Sequence, residues 1–330
     1  MPNLPLAKET GYLRYFLRRA IWKINAAVFG RTLTIALPTG PRFPLPPQSF
    51  FASDVFVTEA NVDWNSEYLL VKYLQSLELP GDFLDVGAHI GYYTALLAPV
   101  ARRCCAFEPD PRNIANLRAT VTGLRNVEVI QQAVADAEGE GFLDVSVESS
   151  TSHLTSARSA ADTDPVRITS VDAFCKSRPE LRVSAVKIDI EGFDILALEG
   201  AQHTAETHRP VFLTEFGIEP GRPNSVERLA DFLQRADYVL YAVSRSDRSF
   251  FHYRFSFDRV EISKLGETWT KMIFIVPREC AFFPDLAEHF PEIARTSLSP
   301  HAARHFLSSS SENIAAARRK TQERPVTPAP

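Results

Sequence analysis

The stretch Phe83-Leu-Asp-Val-Gly-Ala-His-Ile-Gly-Tyr-Tyr-Thr94 constrains this chain more than any other part of it. A short apolar run ends in an acid at Asp85, turns through Gly87 and Gly91, and continues into helix-compatible residues, so it reads as strand, tight loop and helix. Such a junction turns bare backbone N–H groups and the positive end of a helix dipole toward whatever lies beyond the strand's end. Glycine lets a ligand approach that backbone closely. The stretch is therefore a small-molecule cradle.

The chain around and beyond this cradle has the rhythm of an α/β domain. Asp82–Val86 reads as strand, Gly91–Ala101 as helix, Cys104–Phe107 as strand. Asp110 before Pro111 is a helix start, with the acid as N-cap and proline at the first helical position, and that helix runs to about Thr122. Val127–Val134 is a third strand. Gly139 and Gly141 turn into Phe142–Val147, and Val166–Ile168 returns as a strand after a Ser-, Thr-, Ala- and Asp-rich stretch over 149–164. That stretch reads as a loop, either a substrate lid or a solvated insertion. Strands follow at Ser184–Ile190, Val211–Thr214, Tyr238–Val243 and Lys271–Val276, with helices at Phe193–Leu198 and Ser225–Ala236, the latter opened by the capping box of Asn224 and Glu227. Short strands alternating with helices imply a mostly parallel sheet of seven strands, covered by helices on both faces.

Three regions are expected. Residues 1–62 form an N-terminal extension with too few apolar positions for a core of their own: an amphipathic helix over Tyr12–Phe29, a strand at Arg31–Leu37, and another at Phe50–Val57. Between them Pro38, Pro41, Pro44, Pro46 and Pro47 argue against regular structure. Residues 63–285 form the α/β domain, its first helix capped by Asn65 or Ser66. Residues 286–330 form surface helices and, from Ser308, a disordered polar tail.

Within the first helix Leu13, Phe16, Leu17, Ala20, Ile21, Ile24, Ala27 and Val28 mark one face, and Arg14, Arg18, Arg19 and Lys23 the others. Packing on its own domain is the ordinary use of such a stripe; peripheral contact with an anionic membrane is the alternative. No run is long and apolar enough to span a membrane, and no signal peptide is evident. The four cysteines show no CxxC and no metal-site spacing, so a reducing, cytoplasmic setting is expected. A net charge of −4 gives no reason to expect a nucleic-acid partner.

Ligands of open parallel sheets bind at the carboxyl ends of the strands, which singles out Asp85, Glu108, Ala133, Asp189 and Glu215. Glu108 lies one helix and one strand beyond Asp85, where an acid accepts hydrogen bonds from the ribose of an adenosine-containing ligand. A dinucleotide fingerprint would have glycine where Asp85 stands, and an acid there repels a pyrophosphate. It suits the cationic sulfonium and amino group of S-adenosylmethionine. The candidate cofactor-binding residues are Asp85, Gly87, Ala88, His89, Gly91, Thr94, Glu108, Pro109 and Ala133. The segment Val186–Gly192 carries Lys187, Asp189 and Glu191 on one face of an otherwise apolar strand, a costly arrangement unless the charges are paired or used. With Glu215 these are the candidate catalytic residues, a carboxylate taking a proton from a substrate hydroxyl and Lys187 positioning it. No metal site is expected.

Taken in order, Asp85–Thr94, then Ala106-Phe-Glu-Pro-Asp-Pro111 with Asn113 and Asn116-Leu117, then Val171-Asp-Ala-Phe174, then Lys187-Ile-Asp-Ile-Glu-Gly192 with Leu198-Glu-Gly-Ala201, resemble the FkbM family of S-adenosylmethionine-dependent methyltransferases. The resemblance covers about residues 82–216. It implies a class I methyltransferase (Rossmann-like) fold, seven-stranded with the last strand antiparallel, and O-methylation of a hydroxyl on a sugar, glycan or natural product. Two positions depart from the family's pattern: His89 where asparagine is usual, and Asp194 where glutamate is usual. The alternatives are a nicotinamide-dependent oxidoreductase, and a non-catalytic ligand-binding module docking through its N-terminal helix. Trp64, Phe250, Phe251, Tyr253 and Trp269 could stack on a sugar ring, though aromatics at such spacings more often belong to a core.

Overall fold

Ser49 is followed by an almost unbroken apolar run, and the way that run folds sets the shape of the whole N-terminal layer. In the computed structural model, which describes residues 3–144, 153–155, 165–218, 223–249, 253–265 and 269–295, the chain opens with α1 (Leu4–Thr10) and α2 (Tyr12–Ile24), the latter continuing through a π-turn at Asn25–Phe29 that Gly30 closes. An antiparallel hairpin follows, β1 (Leu33–Ala36) with β2 (Arg42–Leu45). The prolines therefore do not exclude a strand: a two-stranded ribbon has open edges, which tolerate Pro44. The run after Ser49 is α3 (Phe50–Thr58), not the expected strand. A continuous apolar run fits either element, and the deciding signal is Ser49, whose side chain accepts from the Ala52 N–H at 3.1 Å as an N-cap. Next, α4 (Ser66–Ser76) is buried on nearly every side.

The α/β alternation then begins: β3 (Asp82–Val86), α5 (Tyr92–Leu97), β4 (Arg103–Phe107), α6 (Pro111–Thr120) and β5 (Val127–Ile130). Asp110 caps α6 as its sequence signals, accepting from the Arg112 N–H at 2.8 Å. The third expected strand is broken after Ile130. Its second half is β6 (Ala133–Val134), which joins β7 (Gly139–Asp144), β8 (His153–Thr155) and β9 (Val166–Thr169) in a separate sheet of order β6-β9-β7-β8. The rest runs α7 (Val171–Lys176), β10 (Val183–Ile188), α8 (Asp194–Glu199), α9 (Gln202–His208), β11 (Val211–Thr214), α10 (Val226–Ala236), β12 (Tyr238–Asp247), β13 (Tyr253–Val260), β14 (Trp269–Pro277) and α11 (Phe282–Arg295). Ser225, rather than Asn224, caps α10. The expectations for a loop over 149–164 and a tail from Ser308 lie outside the described residues, apart from the strand His153–Thr155.

The main sheet has the order β13-β12-β14-β11-β10-β3-β4-β5. Strands β5, β4, β3, β10 and β11 are parallel, and β14 enters antiparallel between β11 and β12. This is the class I methyltransferase arrangement, α/β and Rossmann-like. Among the described residues the sheet has eight strands where seven are expected; the additional one is β13, antiparallel to β12 at the edge. Its period is visible in Tyr253, Phe255 and Phe257 alternating with Arg254, Ser256 and Asp258. The chain leaves β3 toward β5 and returns to β10 beside β3, so strand order reverses between β3 and β10, where ligands of such sheets bind.

Both faces are covered. One core cluster joins Phe83, Leu96 and Phe274 to Trp22, Phe43, Val55 and Trp64 of the N-terminal layer. The other joins Val86, Val186 and Ile188 to Phe174, Leu198 and Phe232. The N-terminal layer thus shares its core with the sheet. At the other end, α11 starts ahead of the expected boundary at 285 and is no surface helix at its start: Phe283 is fully buried, with its ring 5.1 Å from that of Phe274 and 5.6 Å from that of Tyr73. Among the described residues no helix is long and apolar enough to cross a membrane. Because Phe283 closes one face of the sheet, Phe283→Ala is expected to lower the urea unfolding free energy by about 3–5 kcal/mol; a loss under about 1 kcal/mol would mean that α11 is dispensable to the core.

Candidate active site

The loop after β3 is shaped by what lies behind it. Gly87 has φ +77°, and a Cβ there would come within 2.0 Å of the Asp189 carbonyl oxygen, so only glycine lets this loop lie against the loop that follows β10. Gly91, at φ +87°, backs onto Leu117 of α6. Between them His89 is also left-handed, at φ +51°. Asparagine and histidine both tolerate that region, a backbone reason for either to stand at this position.

The backbone N–H groups of this loop are not bare, contrary to the expectation for a glycine cradle. Those of Gly87 and Ala88 donate to the Phe107 carbonyl at 3.0 and 2.8 Å, and that of Gly91 to the Ala88 carbonyl. That of His89 donates to Glu108 Oε2 at 2.8 Å. What the loop presents is the carboxylates it organises. Glu108, at the end of β4, also accepts from the Asp110 N–H at 2.9 Å and from Asn113 Nδ2 at 3.3 Å. Burial pushes its carboxyl up to about 7. Asp85, fully buried at the end of β3, accepts from the Thr94 hydroxyl through Oδ2, while Oδ1 has no hydrogen-bond partner. Loss of hydration raises its pKa, against the pull of Lys187.

Lys187 stands opposite Asp85 in the pairing of β10 with β3. Its Nζ donates to the Gly87 carbonyl at 3.0 Å and lies 3.1 Å from Asp189 Oδ2. Burial alone would lower its pKa, but Asp189 and Asp85 outweigh that and raise it. The alternating face expected through Glu191 stops short: β10 ends at Ile188, and Glu191 (φ +56°) and Gly192 (φ +83°) turn the chain. Ile190 consequently faces the same cavity as Lys187, Asp189 and Glu191 instead of the opposite side. Asp194 accepts from the Ile190 N–H at 3.2 Å and from Asn224 Nδ2 at 3.0 Å, and Asn224 Oδ1 accepts from the Ile195 N–H. Asn224 therefore braces this turn in place of capping α10.

A cavity of about 330 Å³ gathers Asp85, Gly87, Ala88, His89, Glu108, Pro109, Ala133, Lys187, Asp189, Glu191 and Glu215. Ala133 reaches it from β6 of the smaller sheet. Gly91 and Thr94 do not line it; one permits the turn and the other holds Asp85. Sequence reasoning missed the wall supplied by the N-terminal layer: Phe51, Asp54 and Thr58 of α3, then Asp63, with Tyr93 and Lys271 beside them. The misreading of α3 hid the first three, and no spacing marks the others. Asp63 accepts from the Tyr93 hydroxyl at 2.7 Å, and burial raises its pKa. Glu67 behind it accepts from the Val62 and Asp63 N–H groups and is pushed up to about 8 by burial and by Asp63. Glu215 opens into the cavity from an exposed position, and partial loss of hydration together with the carboxylates of Asp189, Asp63 and Glu191 raises its pKa. Trp64 is a core residue packed on Phe255, and Tyr253 carries Lys8 and Arg245 against its ring; neither lines the cavity. Among the described residues no cluster of histidine, cysteine, aspartate and glutamate could hold a metal ion.

Residues 85–240 match the family model described as the methyltransferase FkbM domain. The chain carries an FkbM methyltransferase domain. Its family supports methyl transfer with S-adenosylmethionine as the cofactor. Among solved structures, the FkbM methyltransferase of Methylobacillus flagellatus is similar at 15% identity and a TM-score of 0.40, over 69% of this chain and 55% of that one. The chain thus spans little more than half of that protein. A SAM-dependent methyltransferase of Agrobacterium tumefaciens is similar at 11% identity and a TM-score of 0.42, over 74% of this chain and 69% of that one. At these scores neither likeness adds to what the strand order shows. No curated protein matches the chain in sequence.

His89 bears on how this FkbM domain responds to acid. Its ring packs edge-on against Phe51 at 5.5 Å, and burial, helped by Lys187, lowers its pKa from 6.5 to about 4. The folded state therefore resists a proton that the unfolded chain takes up, and the stability tied to His89 is present above about pH 6.5 and lost as pH falls toward about 4. Relative to wild type, His89→Asn is expected to gain on the order of 2 kcal/mol of unfolding free energy between about pH 7 and about pH 4.5. Parallel urea titrations at the two pH values check this; equal shifts in both proteins would show that His89 titrates freely when folded.

Proposed function

We propose that this methyltransferase transfers its methyl group to a hydroxyl of a small molecule, sugar, glycan or natural product. The observation that carries the reading is Asp189: one oxygen is tied to Lys187 at 3.1 Å while a third of the side chain stays open to the cavity. A carboxylate held in that way is aimed and free to accept a hydrogen bond from an acceptor hydroxyl. The surrounding carboxyls of Asp63, Glu191 and Glu215 and the ammonium of Lys271 offer further hydrogen bonds to a polyhydroxylated ligand. A nucleic acid would meet this acidic lining unfavourably, in keeping with the chain's net charge of −4. The four cysteines are all free, which fits a cytoplasmic setting.

The residues present fit the cofactor. Glu108, which already accepts three hydrogen bonds, keeps an acceptor site on Oε2 for a ribose hydroxyl, with Pro109 and Ala133 beside it. Asp85, with its orphaned Oδ1, suits a cationic amino group, and Gly87, Ala88 and His89 form the floor between them. When bound, S-adenosylmethionine supplies a methyl group already activated for attack. The protein's own work is then to position the acceptor oxygen, exclude water and take up the proton that the hydroxyl releases. Asp189 takes that proton, and Lys187 positions Asp189. Glu215, whose pKa its carboxylate neighbours raise, offers a hydrogen bond to the acceptor. The dinucleotide alternative has no support, since the loop amides are spent on Phe107 and Glu108 and an acid sits at the strand end. A non-catalytic module has none either.

Methyl transfer to a panel of hydroxylated acceptors tests these roles. Asp189→Asn is expected to lower kcat by about 10²–10⁴-fold with cofactor affinity unchanged. Glu215→Gln, which keeps the hydrogen-bonding shape without the charge, is expected to keep most of the rate near neutral pH. An inactive Glu215→Gln beside an active Asp189→Asn would reverse the two assignments. Glu108→Ala is expected to weaken cofactor binding about 10–100-fold by calorimetry; equal affinity would remove Glu108 from the cofactor site.

A further inference from the structure

Helix α2 lies in the opposite sense to an ordinary amphipathic surface helix. Its buried side is formed by Tyr15 and Trp22, and Arg18 clamps it down, donating to the Phe56 carbonyl at 2.8 Å and pairing with Glu59 at 2.8 Å. Arg14 pairs with Glu59 and Arg19 with Asp54, so three of the helix's cations are spent in fixing its rotation. The apolar stripe consequently faces outward. Leu13 is 86% exposed, Leu17 60%, Ile21 45%, Ile24 54%, Val28 70% and Phe29 59%. These residues recur at helical spacing through the helix and the π-turn after it, and together they make a continuous apolar ridge on the outside of the protein.

The segment that carries the ridge holds charges of one sign. Between Glu9 and Asp54 the sequence contains no acid, within a chain whose net charge is −4. Lys23 and Arg31 stand exposed beside the ridge. We propose that the α2 ridge is a docking surface for an anionic membrane, the apolar residues entering the headgroup boundary and the cations meeting lipid phosphates and carboxylates. A second copy of the chain is a poorer occupant, because a two-fold contact pairs this span with itself, and the span holds Lys23 and Arg31 but no acid to answer them. Docking brings the cavity close to the lipid surface, since α2 rests on α3 and α3 supplies Phe51 and Asp54 to the cavity wall.

Co-sedimentation of the full chain with vesicles tests the surface. The protein is expected to pellet with vesicles of phosphatidylcholine mixed with phosphatidylserine, less with phosphatidylcholine alone, and progressively less as salt is raised. The double variant Leu17→Glu/Ile21→Glu is expected to lose about tenfold or more in partition while its melting temperature and cofactor affinity stay unchanged, because both side chains are already exposed. Lys23→Glu/Arg31→Glu is expected to erase the preference for phosphatidylserine. The proposal is overturned if wild type stays in the supernatant with both vesicles, if the Leu17/Ile21 variant pellets like wild type, or if light scattering shows a dimer that this variant dissociates.

Discussion

One buried ammonium group holds the site together. Lys187 reaches across from β10 to the Gly87 carbonyl, pairs with Asp189 and faces Asp85, so the loops after two neighbouring parallel strands are tied at one point. Gly87 permits the contact, since a side chain there would collide with the Asp189 backbone. Removing one member of such a cluster leaves an uncompensated buried charge, at a cost of about 3–5 kcal/mol. The cluster sets Asp85 and Asp189, at the ends of neighbouring strands, on either side of a single cation, the arrangement that the proposed division between cofactor and acceptor uses.

The site also depends on a layer the α/β pattern does not contain. Helix α3 and the Asn61–Asn65 turn close the cavity opposite the sheet, and Glu67 binds that turn through the Val62 and Asp63 N–H groups. Tyr93 of α5 holds Asp63 from the other side. The N-terminal residues build one wall of the cavity while packing into the sheet's own core. Their outer helix, α2, is pinned by arginine pairs with its apolar residues to solvent.

Much of this is legible in the sequence, for physical reasons. Asp85, Glu108 and Glu215 stand out because a parallel strand is apolar until it ends, and Asp110-Pro111 because cap chemistry is local. The features that sequence misreads depend on distant partners. Phe50–Val57 is apolar apart from Ser53 and Asp54 and fits either element, so Ser49 is what marks it as a helix. Asn224 looks like a cap until the β10–α8 turn is beside it. The alternation of Lys187, Asp189 and Glu191 implies a strand, but Gly192 and a left-handed Glu191 turn the chain there. The stripe on α2 implies burial, and its arginines' partners, Asp54 and Glu59, lie too far along the chain for periodicity to reveal the reversal.

Cofactor and acceptor should meet on either side of Lys187, and a crystal structure with S-adenosylhomocysteine bound tests this most directly. The expected result has the ribose hydroxyls on Glu108, the amino group at Asp85, and the sulfur turned toward the space shared by Asp189 and Glu215. A product bound away from the β3–β10 junction, or bound with Glu108 and Asp85 untouched, would contradict it.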